Sequence, residues 1–118
     1  MITVLGASGF VGSHVVEHLR RERIEHQAPA RGETLAGRAL GHVIYCIGVT
    51  DFRERPWDAV DAHVCTLLDV VRYCTYESIL YLSSIRVYAG VHGVAREQDA
   101  LSLNPLDFSE LYGISKVA

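Results

Sequence analysis

Three evenly spaced glycines, Gly6, Gly9 and Gly12, follow the short β-branched run Ile2-Thr-Val-Leu5 and precede an amphipathic pattern that begins at Phe10. A strand that runs through a glycine turn straight into a helix leaves few folds open. In that context Gly6 permits the tight turn, Gly9 lets the backbone approach a pyrophosphate, and Gly12 lets the helix lie close on the sheet. The helix N-terminus then offers free N–H groups and a partial positive charge to an anion. The pattern predicts a βαβ unit whose dinucleotide phosphates are held by Gly6, Ser8, Gly9, Phe10, Val11 and Gly12. A structural turn with fortuitous glycines is the plainer alternative, and the strand before and helix after weigh against it.

The rest of the chain continues the alternation. Val11, Val15 and Leu19 recur at helical spacing with Glu17, Arg20, Arg21 and Glu22 between them, which predicts a helix. A second strand is expected over residues 25–30, at an edge or strand end because of Pro29, and is closed by Arg31 and Gly32. A third covers 42–47 and stops at Gly48; a charged loop over 51–56 follows. Pro56 or Trp57 opens a helix with an apolar stripe of Val60, Val64, Leu67, Leu68 and Val71 that reaches Cys74. The fourth strand is expected over 78–82, then a long polar loop over 89–105, then a last helix from Asp107 or Ser109. The order predicts an α/β fold: a doubly wound parallel sheet of about four strands with helices on both faces. Only about ten residues join the second strand to the third, too few for a full crossover helix and another strand. Residues 35–40 are expected to make one or two helical turns there.

Composition narrows the classes of function. A chain of 118 residues, 49% hydrophobic and 21% charged, reads as one soluble domain over 1–118. A net charge of −3 gives no electrostatic footprint for nucleic acid or an anionic membrane surface. No apolar run approaches the ~20 residues that cross a bilayer, and no secretory signal precedes the first strand. The cytoplasm is the expected compartment. Cys46, Cys65 and Cys74 form no C-x-x-C pair and are expected to be buried or half-buried free thiols. His14 and His18 are the only histidines at i,i+4 spacing, and they lack an H-E-x-x-H context, so no metal site is expected.

The only lysine, Lys116, stands four residues after Tyr112. On a helix this spacing stacks a phenol and an ammonium on one face. A phenol ionises near pH ~10 in water, and a neighbouring cation favours its anion, so the pair is a candidate acid/base device that works best with further positive charge nearby. Ser83-Ser84-Ile-Arg-Val-Tyr88 falls at the carboxyl end of the fourth strand, where ligands of open α/β sheets bind. A hydroxyl there can bond a substrate oxygen while Tyr112 moves its proton. At the end of the second strand an acid would bind the adenosine ribose, but Ala30 and Arg31 stand there. Arginine's planar fork suits a 2′-phosphate, which leans the cofactor from NAD towards NADP; a solvated arginine is the competing reading.

Taken together, Gly6-x-x-Gly9-x-x-Gly12, Ser83-Ser84-x-x-Val87-Tyr88 and Tyr112-Gly-x-Ser-Lys116 resemble the extended branch of the short-chain dehydrogenase/reductase superfamily. More narrowly, the chain is similar to the NAD(P)-dependent epimerase/dehydratase members that act mostly on nucleotide sugars. The resemblance covers essentially the whole sequence. It implies a Rossmann-like fold, NAD or NADP as cofactor, and hydride transfer at a sugar hydroxyl. By position it implies that Ser84 is the catalytic serine, Tyr112 the general acid/base, and Lys116 the residue that binds the nicotinamide ribose and favours the ionised phenol. Cys46, Ile47 and Gly48 fall where the strand end passes the cofactor, which also rests on Tyr112 and Lys116. The family continues well beyond the last helix, so the chain is expected to be an incomplete Rossmann domain, with one strand of the usual set missing and the substrate region absent. Self-association is expected of its open edges. His63-Val64 stands where the family has Asn-Val. A non-catalytic dinucleotide-binding or regulatory module is the alternative function.

Overall fold

The structure is a computed structural model and describes residues 1–49 and 52–118. Asp51, the first residue of the expected charged loop, lies outside the described residues. The strands are β1 (Ile2–Leu5), β2 (His26–Gln27), β3 (His42–Tyr45) and β4 (Ser78–Tyr81). The helices are α1 (Phe10–Arg21), α2 (Pro56–Val60), α3 (Thr66–Tyr73) and α4 (Leu111–Val117). The four strands form one sheet in the order β2-β1-β3-β4, parallel throughout. The fold is a Rossmann-like α/β fold. Contacts gather into two compact units, residues 1–48 with 65–82 and residues 49–64 with 83–118.

In the first unit, side-chain alternation along the strands sorts the core into two faces. Leu5, Val43 and Tyr45 pack with Val70 of α3 and with Leu40. Val4, one position out of phase with Leu5, packs instead with Val16 and Leu19 of α1. Helices therefore cover both faces of the sheet. The buried face of α1 is Gly12, Val16 and Leu19, whereas the expected stripe began at Val11, which is 48% exposed. Gly12 occupies the position nearest the sheet, and that turns Val11 outward.

The expected second strand shrinks to His26–Gln27, and residues 35–40 form turns rather than a helix. Polar side chains do the work a crossover helix would do. Gln27 Nε2 donates to Thr3 Oγ1 at 2.7 Å and to Ala39 O at 3.2 Å, while Arg38 donates to Gln27 Oε1 at 2.9 Å and also pairs with Glu33. Leu40 N–H donates to Thr75 O and Thr75 N–H to Arg38 O, so the loop is laced to the segment before β4. Backbone groups stripped of a ladder must find such partners when buried. Of the three free cysteines, Cys46 and Cys74 are half-buried as expected, but Cys65 is exposed.

The expected long helix is interrupted. Between α2 and α3 the segment Asp61–Cys65 is a π turn, which widens the coil and rotates the side chains that follow. Buried positions are thus Ala59, His63 and Val70, while Leu68 and Val71 of the expected stripe are 41% and 45% exposed.

In the second unit, α4 packs against α2 and against the 3-10 turn Ile85–Tyr88. Trp57 and Phe108 rings lie 6.3 Å apart. A second 3-10 turn, Phe108–Glu110, leads into α4, and Asp107 caps it through Ser109 N–H at 2.9 Å. Residues 89–105 form the irregular stretch expected.

Candidate active and cofactor site

The glycine turn of the first unit is built by steric necessity. Gly6 has φ +83°, and a Cβ there would come within 2.8 Å of the Cys46 carbonyl carbon and the Ile47 nitrogen. The turn therefore rests on the Cys46-Ile47 backbone, which brings these predicted residues together. A Cβ on Gly12 would lie 2.2 Å from the Gly6 carbonyl oxygen. Burial pushes the Cys46 thiol above its ordinary range, which keeps it neutral. Gly48 follows, exposed, beyond the end of β3.

Gly9 caps α1 in extended conformation with no side-chain cap, and no acid stands in the first turn. Ser8, Gly9, Phe10 and Val11 are exposed. The first N–H groups of α1 thus face outward with no side chain in the way, which suits a pyrophosphate. Beside them a groove of about 310 Å³ runs between Ser8 and Ser13 on one side and Pro29, Ala30 and Arg31 on the other. Arg20 lines it as well, a residue that sequence reading treated only as the polar face of a helix. No acid lines it. Glu33, the nearest acid along the chain, is already engaged: Ala30 N–H donates to its Oε2 at 2.8 Å, and Arg38 pairs with Oε1. These contacts, the backbone one first, hold its carboxyl below the ordinary range. The donor set fits the phosphates of a dinucleotide.

The three residues expected to act chemically all belong to the second unit. Ser84 caps the turn Ile85–Tyr88, its Oγ accepting from Arg86 N–H at 3.2 Å. Tyr112 and Lys116 lie one turn apart on α4, as their spacing requires. The Tyr112 ring has Phe52 at 4.6 Å and the His63 ring edge-on at 5.1 Å. Arg86 places its guanidinium 4.6 Å from the Phe52 ring centre and 6.0 Å from that of Tyr112. Lys116 is half-buried, and burial pushes its ammonium below the ordinary lysine range.

His63 was legible only as a departure from a pattern. Its side chain is buried, 1% exposed. Ser115 Oγ donates to the Tyr112 carbonyl at 2.9 Å, so it accepts from His63 Nδ1–H at 2.9 Å. That assigns the neutral Nδ1–H tautomer and leaves Nε2 as an acceptor with no hydrogen-bond partner among the described residues. Burial first, and the Lys116 charge second, lower its pKa to about 4.

No helix of the described residues is long and apolar enough to cross a membrane. No curated protein and no solved structure shows significant similarity to the chain. A family model described as NAD dependent epimerase/dehydratase family matches residues 2–118. With a match of that extent, the chain belongs to the NAD dependent epimerase/dehydratase family.

Proposed function

We propose that this chain binds NADP in preference to NAD and carries out acid/base chemistry at a hydroxyl of a sugar substrate, a nucleotide sugar, in the cytoplasm. The observation that carries the reading is the second-unit cluster in which α4, bearing Tyr112 and Lys116, packs on the turn capped by Ser84. Bound NAD(P) supplies the hydride acceptor and donor. Tyr112 takes the proton of the substrate hydroxyl through its phenolic oxygen as the hydroxyl becomes a carbonyl, and returns it in the reverse step. Lys116 keeps a positive charge one turn from that oxygen, which favours the ionised phenol. Ser84 Oγ hydrogen-bonds the substrate oxygen and orients it. In the first unit the uncapped N–H groups of α1 bind the pyrophosphate, and Arg31 with Arg20 takes the 2′-phosphate.

Titration of the chain with NADP(H) and NAD(H), followed by nucleotide fluorescence or calorimetry, tests this. NADPH is expected to bind at least about tenfold more tightly, ~1.4 kcal/mol, and Arg31→Ala to remove most of that preference. A preference unchanged in Arg31→Ala refutes the phosphate assignment, and no binding of either nucleotide near millimolar refutes the cofactor reading. Tyr112→Phe, which keeps the ring, is expected to weaken nucleotide binding far less than it lowers hydride exchange with a nucleotide sugar, which falls by ~100-fold or more. Nucleotide binding without any Tyr112-dependent exchange would make the chain a non-catalytic dinucleotide module.

A further inference from the structure

Among the described residues, Arg86 is the one arginine of the second unit whose guanidinium lies against aromatic rings. Its guanidinium carbon lies over the Phe52 ring at 4.6 Å and 6.0 Å from the centre of the Tyr112 ring, and these two rings are themselves 4.6 Å apart. A guanidinium lying over a ring keeps N–H donors that can still bond an anion in its own plane. Among the described residues no carboxylate forms an ion pair with it; Asp58 of the same unit pairs with Arg55 instead. Arg86 is exposed, so the donors open to solvent rather than into the core. Its position is held from both ends. The backbone N–H is tied to Ser84 Oγ at 3.2 Å, and the guanidinium lies over the Phe52 ring. A long side chain so restrained loses less rotamer freedom when it binds than a free one.

A cation with no counter-ion among the described residues, held over a ring beside the phenol and two residues from the serine, is placed to read charge on whatever those groups handle. We propose that Arg86 recognises an oxyanion, a carboxylate or phosphate, carried by the substrate close to the hydroxyl on which Tyr112 acts. The planar fork matches either group by two parallel N–H···O bonds, which a lysine cannot reproduce. The proposal deepens the acid/base reading of Tyr112 and rests on it for the identity of the ligand as substrate.

Glucose, glucuronate and glucose 6-phosphate share one ring and differ in charge, so they separate the sources of the anion. Each is titrated into the isotopically labelled chain, with and without NADPH, while the Arg86 Nε–H and Tyr112 ring resonances are followed. One or both charged sugars are expected to shift these resonances and to bind at least about tenfold more tightly than glucose, ~1.4 kcal/mol. The stronger of the two identifies carboxylate or phosphate. Arg86→Gln, which keeps the stem over the rings, is expected to abolish the advantage. Arg86→Lys, the second variant should the first fail to fold, is expected to retain only part of it. Equal binding of glucose, an advantage undiminished in the variant that folds, or shifts confined to other residues would overturn the proposal. If NADPH fails to bind while the charged sugars still depend on Arg86, the dehydrogenase reading falls and the anion site stands. If NADPH binds and the anion preference is absent, the anion site alone falls.

Discussion

His63 is enclosed with a cation, Lys116, near enough to act on it, and its Nδ1–H is committed to Ser115. Adding a proton at Nε2 would place a second positive charge in a buried site, which is why its pKa is lowered to about 4. The unfolded chain binds that proton near the ordinary histidine value, so between these two values the unfolded state carries more protons than the folded one. Stability from His63 is therefore complete above pH ~6.5 and is lost as pH falls towards 4, amounting to roughly 2 kcal/mol between about pH 7 and about pH 5. Urea denaturation at those two pH values is expected to show a smaller loss in His63→Asn than in the unaltered chain. Identical losses would remove His63 from the account. Tyr112, Lys116 and Ser84 could be named as candidates from the sequence because that reading rests on spacing along the chain. His63 could not, since its partner Ser115 is 52 residues away.

At the scale of elements, the β1-turn-α1 unit was legible because every requirement is local. Its tightest point is Gly12, where even one methyl group would sit 2.2 Å from the Gly6 carbonyl oxygen, a backbone atom with no rotamer to yield. Gly12→Ala is expected to destabilise the chain by about 1–3 kcal/mol and to weaken NADPH binding, measured by thermal denaturation and by titration of the folded fraction. A variant as stable as the parent would show that α1 can lift away from the turn. The interrupted helix and the short second strand escaped sequence reading for a different reason. A period taken from Val60, Val64, Leu67, Leu68 and Val71 assumes an unbroken α-helix, and the π turn Asp61–Cys65 breaks that assumption. Residues 35–40 held a helix-compatible composition, but Gln27, Arg38 and Thr3 offered the loop better-matched hydrogen bonds than a helical turn would.

Across the whole molecule the sheet is covered unevenly. The row Val4, Ile44 and Leu80 lies on the α1 face by register, and burial falls along it from 0% exposed at Val4 to 57% at Leu80. β4 is also the last strand of the sheet among the described residues. An exposed apolar side chain on an edge strand favours pairing with another chain, so the 118-residue chain is expected to self-associate with rising concentration and Leu80→Lys to reduce it. Light scattering over a concentration series checks this, and an unchanged dependence in Leu80→Lys would place any association elsewhere. The sequence by itself determined the alternation of strands and helices, the glycine turn and the positions of Ser84, Tyr112 and Lys116, because each follows from neighbours within a turn or a strand. Only the tertiary structure decided that Arg20 joins Arg31 in one groove, that His63 braces Tyr112 through Ser115, and that Arg86 lies over Phe52 and near Tyr112. Those relations are set by packing between distant segments, and no periodicity along the chain encodes them.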